Sequence, residues 1–217
     1  MKNYKVIIFD LDGTLSNSEE GITKSVQYAL EKLGIIVNDL DSLKHFIGPP
    51  MAEELEKSYN LSKDDAFRGL EYYRERYIPV GIYECYSYEG VEEMLATLKR
   101  ENYIVALATS KPQVMAEEVL RYLNINKYFD YIMGADLHGP KQSKDMVLES
   151  LIEEIKCYSK EEMLMVGDTS FDIIGASKVG IDSIGVKYGF GEIEQMLSDG
   201  AVCVVDSPSD IISFLHK

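Results

Sequence analysis

Long apolar runs are missing from this 217-residue chain, in which no stretch approaches the roughly 18 residues that span a bilayer. The N-terminal Val6-Ile7-Ile8-Phe9 ends on Asp10, too short for the apolar region of a signal peptide, so a cytoplasmic location is expected. Cysteine is scarce as well. Cys85, Cys157 and Cys203 are odd in number and widely spaced, which argues against a disulfide framework or a cysteine metal cluster and predicts inert buried thiols. Positive charge is in deficit: 22 Lys and Arg against 37 Asp and Glu give a net charge of −15. Lacking a basic footprint, the chain is a poor partner for nucleic-acid duplexes or anionic membranes. An acidic protein that takes an anionic phosphate must rely on local devices: a cation, a well-placed lysine, and backbone N–H groups at helix starts.

What is present has the proportions of a globular protein, 46% hydrophobic and 27% charged, with length enough for a large core plus a small inserted unit. Short apolar runs at Val6 to Phe9, Ile104 to Ala108, Tyr131 to Met133, Met163 to Val166, Ser183 to Val186 and Val202 to Val205 read as strands buried on both faces. The last five are spaced for crossover helices, which predicts an α/β fold, a Rossmann-like three-layer sandwich around a central parallel sheet. From about Ser16 to Tyr83 only helical patterns occur. Ile22, Val26, Ala29, Leu30 and Leu33 share one helical face, with Ser18 as cap and Gly34 as stop. Ser62 and Asp65 signal the start of a second helix carrying Ala66, Leu70, Tyr73 and Tyr77, and Gly48-Pro49-Pro50 is a loop between them. The expected division is a core of residues 1–15 and 86–217 with an all-α insertion of residues 16–85. Standing after the first strand, that insertion is placed to act as a lid, with hinges near Ser16 to Ser18 and Tyr83 to Ser87.

Ligands of parallel sheets bind beyond the carboxyl ends of the strands, and there the polar residues gather. Asp10 and Asp12 lie in Asp10-Leu11-Asp12-Gly13-Thr14, and at i and i+2 of an extended segment they face the same way. So close a pair repels unless a divalent cation neutralises one carboxylate or a proton sits on the other. Both conditions suit phosphoryl chemistry, with an ionised Asp10 attacking phosphorus and a protonated Asp12 serving the leaving oxygen. Gly167-Asp168-Thr169-Ser170-Phe171-Asp172 offers Asp168 as a ligand for Mg²⁺ and Asp172 as its support one helical turn on. Thr109 and Ser110, followed by Lys111 and Pro112, form a candidate anion-binding corner. A compact cation must hold nucleophile and phosphate together; Lys144 is the choice, with Lys141 its rival across the same turn. Each segment taken alone also reads as an ordinary helix cap or solvated loop.

Together these four segments resemble the haloacid dehalogenase superfamily, in its phosphatase branch with a small helical cap, and within it the phosphoglycolate-phosphatase-like group. The resemblance spans essentially the whole chain. It implies Asp10 as the nucleophile that forms an aspartyl-phosphate, Asp12 as general acid/base, and Thr109 and Lys144 as stabilisers of phosphate and nucleophile. It implies Mg²⁺ held by Asp10, the backbone carbonyl of Asp12, and Asp168. Gly48, Gly13 and Ser110 are the expected substrate contacts, with the cap setting specificity for a small phosphate ester: phosphoglycolate-like, a nucleoside monophosphate or a sugar phosphate. The expected assembly is a monomer or homodimer.

Two other functions compete. A phosphomutase returns the phosphoryl group to another hydroxyl when the cap excludes water. A phospho-acceptor signalling domain also uses an Asp, Mg²⁺, a hydroxyl and a Lys on a parallel sheet, but calls for a shorter chain with no lid and no second acid after the nucleophile. Tyr72, Tyr73, Tyr77, Tyr83, Tyr86 and Tyr88 crowd the end of the insertion, as pocket walls for a base or sugar or as packing between lid and core.

Overall fold

The computed structural model describes residues 2–139, 141 and 143–217. Its centre is a six-stranded sheet in the order β5-β4-β1-β6-β7-β8. The strands are β1 (Val6–Phe9), β4 (Ile104–Pro112), β5 (Tyr131–Ala135), β6 (Met163–Gly167), β7 (Asp182–Val186) and β8 (Val204–Val205), all paired in parallel. Each of β1's four residues is fully buried, as expected of a strand covered on both faces.

Alternation along the strands sorts the core into two layers. Ile7, Phe9, Val105, Leu107, Leu164 and Val166 face one side, where they meet α4 (Val91–Arg100), α5 (Gln113–Tyr122) and α9 (Pro208–Leu215). Val6, Ile8, Ala106, Ala108, Met163 and Met165 face the other, against α6 (Lys144–Glu154) and α7 (Ser170–Val179). In α4 the core face is Val91, Met94, Leu95 and Leu98, the i, i+3, i+4, i+7 spacing of an amphipathic helix. The short α8 (Ile193–Ser198) packs over β7 through Met196, which lies against Gly185. The chain leaves β1 toward β4 and leaves β6 toward β7, so the sheet's switch point lies between β1 and β6. Asp10 and Asp168 follow these two strands.

Between β1 and β4 the chain forms α1 (Glu19–Lys32), a 3₁₀ turn at Asp41–Phe46, α2 (Met51–Tyr59) and α3 (Lys63–Tyr77). Helix α1 packs on α3, and α3 on α2. Ser62 caps α3 by accepting from the Asp65 N–H at 3.2 Å, as the sequence pattern anticipates, and Gly34 follows α1 with φ +83°. Ser18 sits at the start of α1 but makes no capping bond; the Asn17 carboxamide oxygen takes the Glu19 N–H instead.

The last strand is shorter than the apolar run suggests, since Val202 is exposed and only Val204 and Val205 pair, and two further features differ from the sequence reading. The crossings into and out of the helical insertion are not separate coils. They pair as a two-stranded antiparallel ribbon, β2 (Ser16–Asn17) with β3 (Tyr86–Ser87), too short and too polar to leave a periodicity signal. The cysteines are free but not uniformly buried: Cys157 is exposed in the turn after α6, and Cys85 and Cys203 are half-buried.

Candidate active site

The strands that end at the switch point deliver the acidic residues to one place. Carboxylate oxygens of Asp10, Asp168 and Asp172 lie within 4.8 Å of one another, all three residues buried. Lys144, at the first turn of α6, reaches into them. Its Nζ donates to Asp10 Oδ1 at 2.5 Å and to the Ala108 carbonyl at 2.9 Å, and stands 2.9 Å from Asp172 Oδ1. Lys141 goes elsewhere, 3.9 Å from Asp136 and against the Met133 sulfur. Of the two lysines weighed from sequence, Lys144 is the one at the nucleophile candidate.

Second contacts fix the carboxylates. Asp168 accepts from the Thr14 hydroxyl at 3.3 Å and from the Phe190 N–H at 2.9 Å. Asp172 accepts from the N–H and hydroxyl of Thr169, each at 3.1 Å, closing a capping box on α7. Gly13 is packed beneath Asp168 rather than along the cavity wall. A Cβ there would fall 2.0 Å from Asp168 Oδ2, and φ is +86°.

Three carboxylates against one ammonium leave this cluster two negative charges in excess when all are ionised, in a place largely shielded from solvent. Burial and excess charge together raise the carboxyl pKa values. Burial pushes the Asp10 pKa up to about 6, Lys144 opposing and Asp172 and Asp12 reinforcing the shift. Burial, then Asp172 and Asp10, raises Asp168 well above the ordinary carboxylate range. A divalent cation would cancel the excess, and an all-oxygen donor set suits a hard ion such as Mg²⁺. The residues present therefore fit the ion.

Over the cluster lies a cavity of about 470 Å³ lined by Asp10, Asp12, Thr109 and Ser110 below and by residues of the helical insertion above. Gly48 and Pro49 lie on its rim, and Phe46, Phe67, Tyr73 and Tyr77 supply aromatic surface with Arg74 beside them. Thr109 is buried, its hydroxyl accepting from the Lys111 N–H at 3.2 Å. Of the six tyrosines flagged in the sequence, Tyr73 and Tyr77 line this cavity. Tyr83 and Tyr86 are exposed outside it, Tyr72 packs against the core, and Tyr88 lines a neighbouring cleft with Tyr188.

A family model described as haloacid dehalogenase-like hydrolase matches residues 7–186, the greater part of the chain and every residue of this cluster. The chain belongs to that family. Among curated proteins, this hydrolase is 39% identical over 193 residues to a 5'-nucleotidase of Pseudomonas aeruginosa, a match covering 89% of this chain and 87% of the other. It is 30% identical over 219 residues to a phosphoglycolate phosphatase of Vibrio parahaemolyticus, covering 97% and 96%. Among solved structures it superposes with a TM-score of 0.95 and 38% identity on a predicted phosphatase from Clostridium acetobutylicum, covering 99% of both chains. The resemblance read from the four motifs is thereby borne out.

Two parts of the hydrolase's site go beyond what the sequence reading assigned. Lys111 is buried, with Nζ 2.8 Å from Asp12 Oδ2 and 2.6 Å from the Tyr77 phenol oxygen. Burial works against its charge, but Asp12, joined by Tyr73 and Cys85, outweighs it, so its pKa is raised. The segment Gly189-Phe190-Gly191 closes over Asp168 so tightly that a Cβ on Gly189 would fall 2.3 Å from Asp168 Cβ. A glycine pair flanking one residue just past a strand, lining up with the acidic loop of its neighbour, was the only available hint.

Proposed function

We propose that the chain is a Mg²⁺-dependent phosphatase of small phosphate monoesters that works through an aspartyl-phosphate on Asp10. The observation that carries the reading is the Lys144 ammonium held between Asp10 and Asp172 at the foot of a cavity roofed by the helical insertion. Residues 16–85 are proposed as the lid, moving on the paired β2–β3 crossing.

In this reading Asp10, Asp168 and the backbone carbonyl of Asp12 hold Mg²⁺, which when bound draws charge from the phosphoryl oxygens and offsets the carboxylates that would repel the substrate. Lys144 keeps Asp10 ionised and oriented against the lowered polarity of the site. Thr109 and Ser110 donate to the phosphoryl group from the end of β4. Asp10 attacks phosphorus, Asp12 gives its proton to the leaving oxygen, and Asp12 then takes a proton from the water that releases phosphate. Asp172 works at one remove, buttressing Lys144.

A cavity of about 470 Å³ with aromatic walls favours a leaving group bulkier than a two-carbon acid, a nucleoside or sugar rather than glycolate. The name of the Pseudomonas relative points the same way. The three free cysteines support a reducing, cytoplasmic setting, and no helix among the described residues is long and apolar enough to cross a membrane. The test is phosphate release from p-nitrophenyl phosphate with Mg²⁺. Asp10→Asn abolishes it in a protein that still folds, and undiminished turnover in that variant sinks the assignment.

A further inference from the structure

Lys111 is a buried cation at the cavity for which the steps above have no use. Its side chain is 5% exposed, and such an ammonium is kept charged inside a protein only where partners repay its lost hydration. Two partners do so, each from a different element. Asp12, from the loop after β1, takes one donor through Oδ2, and Tyr77, on the last turn of α3 in the helical insertion, takes another through its phenol oxygen. The other oxygen of Asp12, Oδ1, is buried with no hydrogen-bond partner among the described residues. One carboxylate oxygen is thus clamped and its twin is left free, in a residue that lines the cavity.

We propose that Lys111 is the positioning residue for the general acid: it holds Oδ2 of Asp12, leaving Oδ1 to carry the proton, and ties that arrangement to the lid through Tyr77. The proposal rests on the reading of Asp12 as acid and base. In the first half-reaction an Asp10 oxygen bonds to phosphorus while the bond from phosphorus to the leaving oxygen breaks. The proton on Asp12 Oδ1 moves to that leaving oxygen, and the carboxylate so formed is met by the Lys111 ammonium. In the second, a water oxygen bonds to phosphorus, the acyl-phosphate bond breaks with its electron pair returning to Asp10, and a water proton returns to Oδ1. Lys111 keeps its own proton throughout. Because the clamp is completed by a residue of α3, the acid is in position only while the lid's last helical turn sits against the core, which couples protonation of the leaving group to closure.

Leaving groups differ in how much they need an acid, and that difference separates a positioning role from plain structural support. The experiment compares kcat/KM for p-nitrophenyl phosphate, whose leaving oxygen departs readily as an anion, with that for phenyl phosphate, whose leaving oxygen needs the proton. Lys111→Gln is near in size and neutral; it is expected to slow phenyl phosphate by on the order of 10²-fold and p-nitrophenyl phosphate by less than about tenfold, since positioned acids contribute factors of this size. Asp12→Asn is expected to reproduce the pattern, Lys111→Arg to bring the ester ratio most of the way back to the parental value, and Tyr77→Phe to shift the ratio severalfold in the direction of Lys111→Gln. Equal slowing of both esters in Lys111→Gln, with unequal slowing in Asp12→Asn, overturns the role of Lys111 alone. Equal slowing in Asp12→Asn overturns the acid assignment beneath it. Circular dichroism melts report folding; if Lys111→Gln does not fold, the ester ratio of Tyr77→Phe decides, an unchanged ratio overturning the proposal.

Discussion

Lys144→Met separates the structural from the chemical work of the buried lysine. The substitution keeps the length of the stem but removes an ammonium that stands 2.5 Å from Asp10, 2.9 Å from Asp172 and 2.9 Å from the Ala108 carbonyl. Removing one partner of a buried ion pair leaves an uncompensated charge and costs about 3–5 kcal/mol. With a urea slope at the upper end of the usual range, near 3 kcal/mol per molar, the metal-free unfolding midpoint falls by roughly 1–2 M. Protonation relieves part of that cost. Burial already raises the Asp10 pKa to about 6 with the lysine present, so the loss is larger at alkaline than at mildly acidic pH. Saturating Mg²⁺ restores more than half of the stability, about 2.7 kcal/mol at one hundred times its dissociation constant, while activity stays down on the order of 10³-fold. The assay is urea denaturation followed by circular dichroism, with and without Mg²⁺, beside phosphate release. A variant as stable as the parent in chelator at alkaline pH would refute the burial of an essential ammonium among these carboxylates.

The same cluster sets the pH dependence of the metal-free protein. Asp10 and Asp168 have folded pKa values above their unfolded ones, so the folded state binds more protons and its stability falls as pH rises through about 6; the lowered carboxylates, such as Glu84, Glu118 and Asp182, act below their ordinary values and leave that window clear. Denaturation midpoints measured from pH 5 to 8 in chelator decline, Mg²⁺ flattens the decline, and a rising midpoint across that range would contradict the picture. Gly13→Ala and Gly189→Ala each drive a methyl group into Asp168, so Mg²⁺ affinity measured by calorimetry drops at least tenfold in whichever variant folds; unchanged affinity in both would show that Asp168 is not held by these two backbones.

Much of the sheet was legible because its strands are short apolar runs that end on chemistry-bearing residues. Val6 to Phe9 and Met163 to Gly167 announce both the strand and the loop that follows, and Asp10, Asp12 and Asp168 stand where that pattern puts them. The rest depends on contacts between distant segments, for which a single chain has no local sign. Lys111 looks from sequence like a mere neighbour of Thr109, because its partners, Asp12 and Tyr77, lie in other elements. The β2–β3 ribbon is two residues long on each side, below any periodicity. Helix α2 has no distinct start signal, because Gly48-Pro49-Pro50 carries loop chemistry up to Pro50 at its cap position.

The central claim is that Asp10 carries the phosphoryl group in transit. Rapid acid quench of the Mg²⁺-loaded enzyme during turnover of p-nitrophenyl phosphate, followed by proteolysis and mass spectrometry, tests it directly. The account predicts a phosphoryl adduct on the peptide that contains Asp10, absent without substrate and absent in Asp10→Asn; turnover with no adduct at any quench time, or an adduct on another residue, would contradict it.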